Sequence, residues 1–87
     1  MTKPLTILYF AWLRERVGVS EETLSPPEGV TTVAELVEHL AGRDARHAAA
    51  FKDRKTVRCA VNQEFANPAT LLRPGDEVAF FPPVTGG

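Results

Sequence analysis

Thr32-Val33-Ala34-Glu35-Leu36-Val37-Glu38-His39-Leu40-Ala41-Gly42 is the stretch on which the fold turns. The Thr32 hydroxyl can cap a helix while Glu35, three residues on, reaches back to the same end, the pattern of a capping box. Val33, Leu36, Val37 and Leu40 recur at helical spacing and form one apolar stripe, whereas Glu35, Glu38 and His39 face elsewhere. Gly42 stands just past the last apolar position, where helices commonly stop. Burying these side chains contributes roughly 1.5–3 kcal/mol each, which fixes the helix on a sheet.

Working back towards the N-terminus, Leu5-Thr6-Ile7-Leu8-Tyr9-Phe10 reads as a strand buried on both faces or nearly so. Its parity separates Leu5, Ile7 and Tyr9 from Thr6, Leu8 and Phe10. Ala11 to Gly18 reads as a short helical turn or loop, and Glu21-Glu22-Thr23-Leu24 as a second strand hairpinned to the first. Ser25-Pro26-Pro27 ends that strand. Working forward, Asp44 to Phe51 offers a second short helix around Ala48, Ala49 and Ala50, and Lys52 to Lys55 a polar connector. Thr56 to Val61 alternates, with Val57, Cys59 and Val61 inward and Arg58 outward. Asn62-Gln63 turns into a short strand at Glu64-Phe65-Ala66, Asn67-Pro68 breaks the chain, and Leu71-Leu72 tucks inward. Arg73-Pro74-Gly75-Asp76 is a turn before the last strand, Glu77-Val78-Ala79-Phe80-Phe81, which Pro82-Pro83 stops by removing two backbone donors. Strand, strand, helix, strand, short strand, strand is an α+β order that a single mixed sheet clasping one helix satisfies. This is a ubiquitin-like β-grasp over residues 1–81, its first and last strands side by side, followed by a tail at residues 82–87.

The whole chain has 87 residues, 44% of them apolar and 24% charged, with ten Lys+Arg against eleven Asp+Glu. One domain accounts for that length. A formal charge of −1 argues against a nucleic-acid module, which carries a clustered basic excess. No apolar run approaches the roughly 18–20 residues that cross a bilayer, and no signal-peptide pattern opens the chain. A cytoplasmic location is the expectation. One cysteine and two histidines give no disulfide and no metal-ligand set. Glycine-rich phosphate loops and nucleophile elbows are absent from the sequence. Chemistry, if it occurs, belongs to a terminus or is shared with a partner.

Pro82-Pro83-Val84-Thr85-Gly86-Gly87 is the feature that needs explaining. The prolines favour an extended stem, and six residues at about 3.3 Å each reach some 20 Å. Two glycines at the tip fit a passage too narrow for any side chain. A carboxylate there is ionised and a poor electrophile, so covalent use requires activation, most directly as an acyl-adenylate made from ATP. The acyl group then accepts sulfur, giving a thiocarboxylate, or an amine, giving an isopeptide. A glycine pair alone is more often a frayed end.

Tyr9-Phe10-Ala11, Leu13-Arg14-Glu15, Thr32 to Leu36, Ala60-Val61-Asn62-Gln63 and the unbroken block Gly75 to Gly87 together resemble the small, sulfur-carrier subunits of molybdopterin synthase. The resemblance is weakest between Gly42 and Arg58. It implies that Gly87 is adenylated by an ATP-dependent activating enzyme, converted to a thiocarboxylate, and delivered into a large subunit. There the sulfur passes to cyclic pyranopterin monophosphate. It also implies a heterotetramer of two small and two large subunits, with the catalytic side chains on the large one and no cofactor bound by the carrier. A carrier for thiazole or tRNA thiolation, or a protein modifier, are the alternatives.

Phe10 and Phe81 fall on the parity opposite to Ile7, Val78 and Phe80, so a helix on the latter face leaves them outside, beside Phe65. With Arg14 at its rim, that cluster is the expected partner-binding surface. Cys59 reads as a small buried hydrophobe without a role. His39 and His47 read as solvated, and Trp12 fits core or interface equally well.

Overall fold

A computed structural model describes residues 3–83. Leu5–Tyr9 (β1), Glu21–Leu24 (β2), Arg58–Val61 (β3), Glu64–Ala66 (β4) and Glu77–Phe81 (β5) build a sheet in the order β2-β1-β5-β3-β4. Trp12–Val17 (α1), Val33–Ala41 (α2) and Ala45–Ala50 (α3) are α-helical, and Arg54–Thr56 is a 3-10 turn. At the sheet centre β1 and β5 run parallel, Ile7 beside Val78 and Tyr9 beside Phe80, while the other pairings are antiparallel. A parallel pair needs a crossover, and the helical middle of the chain supplies it. The first and last strands lie side by side, as the element order implies for a β-grasp.

The capping box closes as read. Thr32 Oγ1 accepts from the Glu35 N–H at 3.2 Å, and Glu35 Oε1 accepts from the Thr32 N–H at 3.0 Å. Glu35 also accepts from the Thr31 N–H and hydroxyl, both at 2.8 Å. These bonds, the Thr31 N–H foremost, hold its carboxyl below the usual range. Val33, Leu36, Val37 and Leu40 are buried against the inward parity of the sheet, Leu5, Ile7, Tyr9, Cys59, Val78 and Phe80. Leu13 and Val17 of α1, with Ala50 and Phe51, complete the core. Phe51 meets Phe80 edge-on at 5.0 Å between ring centroids, and Tyr9 stacks on Phe80 at 6.1 Å. Trp12 resolves as a partly buried ring packed on this core, with the Arg16 guanidinium 5.1 Å above it.

Several expectations are corrected. The first strand is buried on one face only: Thr6 and Leu8 are partly exposed, Phe10 is 49% exposed, and the strand ends at Tyr9. The helices and core supply apolar partners to one parity alone. The third strand begins at Arg58, because the Asp53 carbonyl captures the Thr56 N–H at 3.0 Å in the 3-10 turn. Leu72 packs on the core, but Leu71 bridges back to Thr32 and stays 67% exposed. His47, expected in solvent, is buried at 6% exposure. Its Nδ1 lies 2.8 Å from Asp44 Oδ1 and its Nε2 2.8 Å from Glu22 Oε2, a carboxylate set 25 residues away that no local pattern reveals. His39 is partly buried.

Candidate functional site

The strand register lays out the outward face of the sheet. Leu8, Ala79, Ala60 and Phe65 form one row across β1, β5, β3 and β4. One step further along β5, Phe81 stands opposite Arg58, and the Phe10 N–H donates to the Phe80 carbonyl at 3.0 Å at the same end. None of Leu8, Ala60, Ala79 and Phe81 belongs to the core or packs against it. Two alanines therefore make a low floor, and the aromatic rings stand above it. Phe65 and Phe81 lie 6.0 Å apart, inclined at 53°, and Phe65 is 87% exposed. Two large rings side by side, one of them almost wholly in water, make an exposed apolar patch.

The structure thus brings Phe65 and Phe81 together and sets Phe10 at their end of the sheet. Ala11 turns the chain there with φ 54°, and its carbonyl accepts from the Arg14 N–H at 3.1 Å. Arg14 is exposed on α1, and no described contact joins it to the rings. Pro82 and Pro83 follow Phe81, partly buried and without N–H groups to extend the ladder. The expectations for Val84, Thr85, Gly86 and Gly87 lie outside the described residues.

The described residues of this face are Phe, Ala, Leu, Thr, Arg and Glu, and no hydrogen bond there pairs a Thr hydroxyl with a carboxylate. Cys59 lies on the opposite side, and burial pushes its thiol up to about 12, so almost none of it is thiolate at neutral pH. Among the described residues, no three His, Cys, Asp or Glu side chains gather to hold a metal ion. No described helix is long and apolar enough to cross a membrane.

The polar cluster that sequence reading missed is also on the inner side. Glu22 accepts from the Tyr9 hydroxyl at 2.6 Å and from Arg43 at 2.8 Å, besides facing His47. Burial pushes the Glu22 carboxyl up, but hydrogen bonds from His47 and Tyr9 and the nearby positive charges bring it below the usual range. Burial, reinforced by that carboxylate, raises the Tyr9 hydroxyl. The signal available in the sequence was strand parity, which puts Glu22 on the side of Leu24.

Comparison with known proteins bears on the fold and the family. The ThiS family model matches residues 7–87. The chain belongs to the ThiS family. It is 42% identical over 83 residues to the molybdopterin synthase sulfur carrier subunit of Escherichia coli (strain K12), covering 95% of this chain and 99% of that one. A putative molybdopterin converting factor, subunit 1, from Pyrococcus furiosus superposes with a TM-score of 0.76 at 34% identity, covering 95% of this chain and all of that one. The small archaeal modifier protein 1 of H. volcanii superposes with a TM-score of 0.74 at 26% identity, over 94% of this chain and 99% of that one. The resemblance read from the sequence is thereby confirmed, and the structural neighbours share the ubiquitin-like fold.

Proposed function

We propose that this chain is the sulfur carrier of a molybdopterin synthase, and that its bare sheet face docks on the large subunit. The observation that carries the reading is near-full-length identity to carriers of that name, at 42% in the E. coli case. The alanine-floored, aromatic-walled face supports it, because it ends where Pro82 and Pro83 lead towards Gly87. Phe10, Phe65 and Phe81 supply the contact, with Arg14 at the rim. Pro82, Pro83, Val84, Thr85 and Gly86 form the stem that presents Gly87.

The chemistry follows from the carboxylate. A Gly87 oxygen attacks the α-phosphorus of ATP on an activating enzyme and pyrophosphate leaves, giving an acyl-adenylate. A sulfide equivalent displaces AMP, and the thiocarboxylate remains. In the large subunit that sulfur displaces an oxygen substituent from a carbon of cyclic pyranopterin monophosphate, forming a C–S bond as the C–O bond breaks. Water then attacks the Gly87 acyl carbon, the acyl–sulfur bond breaks, and the sulfur stays on the substrate while the carboxylate is freed. This chain therefore contributes a covalent donor and a docking surface; acid–base groups belong to the partner.

Intact-mass analysis after co-production with the activating enzyme should show one oxygen replaced by sulfur, mapped to Gly87. Deleting Gly87 should remove that change and all sulfur transfer while leaving the melting temperature unaltered. Sulfur transfer that survives the deletion would defeat the reading. The alternative is a protein modifier that forms isopeptide bonds with lysines, for which the 26% identity to an archaeal modifier is much weaker support than the 42% identity to a carrier. Higher-mass conjugates that survive denaturation and thiol treatment would reveal it.

A further inference from the structure

A cluster of cations lies at the corner of the sheet where β5 ends and Pro82 follows. Residues 52–58 carry Lys52, Arg54, Lys55 and Arg58 against a single anion, Asp53. Arg54 is spent on the Glu38 carboxylate at 2.5 Å. Lys52, Lys55 and Arg58 are exposed and reach no carboxylate among the described residues. Arg58 stands directly opposite Phe81 in the register, one residue before Pro82. Its Nη1 donates to the Lys55 carbonyl at 3.0 Å, which ties the preceding turn to the same corner. At the far end of the bare face, Glu77 begins β5 opposite Thr6. Elsewhere the face is mixed in sign, with Glu21 beside Leu8 and Lys3 against Gly75 near Glu77, so the three unpaired cations of residues 52–58 are its one concentration of like charge.

Like charges held together without a carboxylate partner repel one another, and apart from the Arg58 bond to the Lys55 carbonyl no described side-chain contact uses these three. An apolar floor of two alanines also has little directionality of its own, since it presents the same surface to a partner rotated by half a turn. A cationic cluster at one corner breaks that symmetry, and long-range attraction sets the approach before any ring makes contact.

Resting on the carrier reading above, we propose that Lys52, Lys55 and Arg58 form an orienting rim that pairs with carboxylates flanking the tail entrance of the large subunit. The rim steers encounter so that the strand end followed by Pro82 faces that entrance. The rings hold the complex once it has formed.

The test is the association rate of the full-length carrier with the large subunit at low and high ionic strength. Lys55→Glu/Arg58→Glu should slow association about tenfold or more at low salt, with the gap closing at high salt and dissociation changed less than about twofold. Lys55→Glu alone, which leaves the Arg58 bond to a backbone carbonyl in place, should give a smaller slowing of the same salt dependence. Thermal unfolding of each variant checks that the fold is intact. Association indifferent to these charges, or a slowing that persists at high salt, would overturn the proposal while leaving the carrier reading standing. A wild-type chain that does not bind the large subunit at all defeats the carrier reading itself.

Discussion

Glu22 follows Glu21 in the sequence, and the two carboxylates have opposite fates. Parity turns Glu21 outward, while Glu22 lies beside Ile7 on the covered side and collects the Tyr9 hydroxyl, Arg43 and His47. An amide at position 22 keeps the shape but offers those three groups only one acceptor oxygen. Glu22→Gln should cost about 1–3 kcal/mol at neutral pH, read from the urea midpoint. The pH dependence has a definite sign. Glu22, Asp44 and Glu35 all have folded-state pKa values below their ordinary ones, so they bind protons more weakly when folded. Their stabilisation is complete above the ordinary carboxylate range of about 4 and drains away as pH falls through the lower folded values. The midpoints of wild type and Glu22→Gln should therefore converge on acidification; a constant gap would show that the Glu22 charge is irrelevant.

At the scale of elements, two glycines that both end helices behave differently. Gly18 closes α1 with φ +95°, its N–H donating to the Arg14 carbonyl at 2.8 Å, and the Arg46 guanidinium fills the space where a Cβ would go. Gly42 closes α2 with φ −86°, and a Cβ there would meet only carbonyl oxygens at ordinary contact distance, the nearer at 3.5 Å. The sequence places both just past an apolar stripe, but a left-handed residue is required only at the first. Gly18→Ala should lose about 1–2 kcal/mol, from the left-handed backbone and the displaced arginine. Gly42→Ala should gain about 0.4–1 kcal/mol by restricting the unfolded chain. Denaturant unfolding of the two single variants separates these outcomes. The capping box of α2 was fully legible beforehand, since both of its partners lie within four residues. The partners of α3 were not: His47 reaches Glu22 through the fold, not along the chain.

Over the whole molecule, a single helical layer against a five-stranded sheet leaves the other face of that sheet bare. That explains why Phe10, Phe65 and Phe81 do not enter the core, although their neighbours Tyr9 and Phe80 do. Phe65 carries almost none of its surface into the fold, so Phe65→Ala should change stability by less than about 0.5 kcal/mol. The same substitution should weaken binding to the large subunit about tenfold or more, chiefly through faster dissociation. Calorimetric unfolding and a binding titration on one protein sample check both halves. A loss of stability matching the loss of binding would place Phe65 in the fold instead of the interface.

The amino-acid order alone determined the element sequence, the α2 stripe and its cap, and the outward parity of Phe10 and Phe81. Each of these rests on short-range periodicity or backbone chemistry, which the chain carries locally. Only the tertiary structure decided that Phe65 leans on Phe81, that Glu22 and His47 share a buried cluster, that Leu71 stays in water, and that Arg58 stands opposite Phe81. Those contacts join residues brought together by strand register and helix docking. The energy that selects them is cooperative burial of the whole sheet face, which no single stretch of sequence contains.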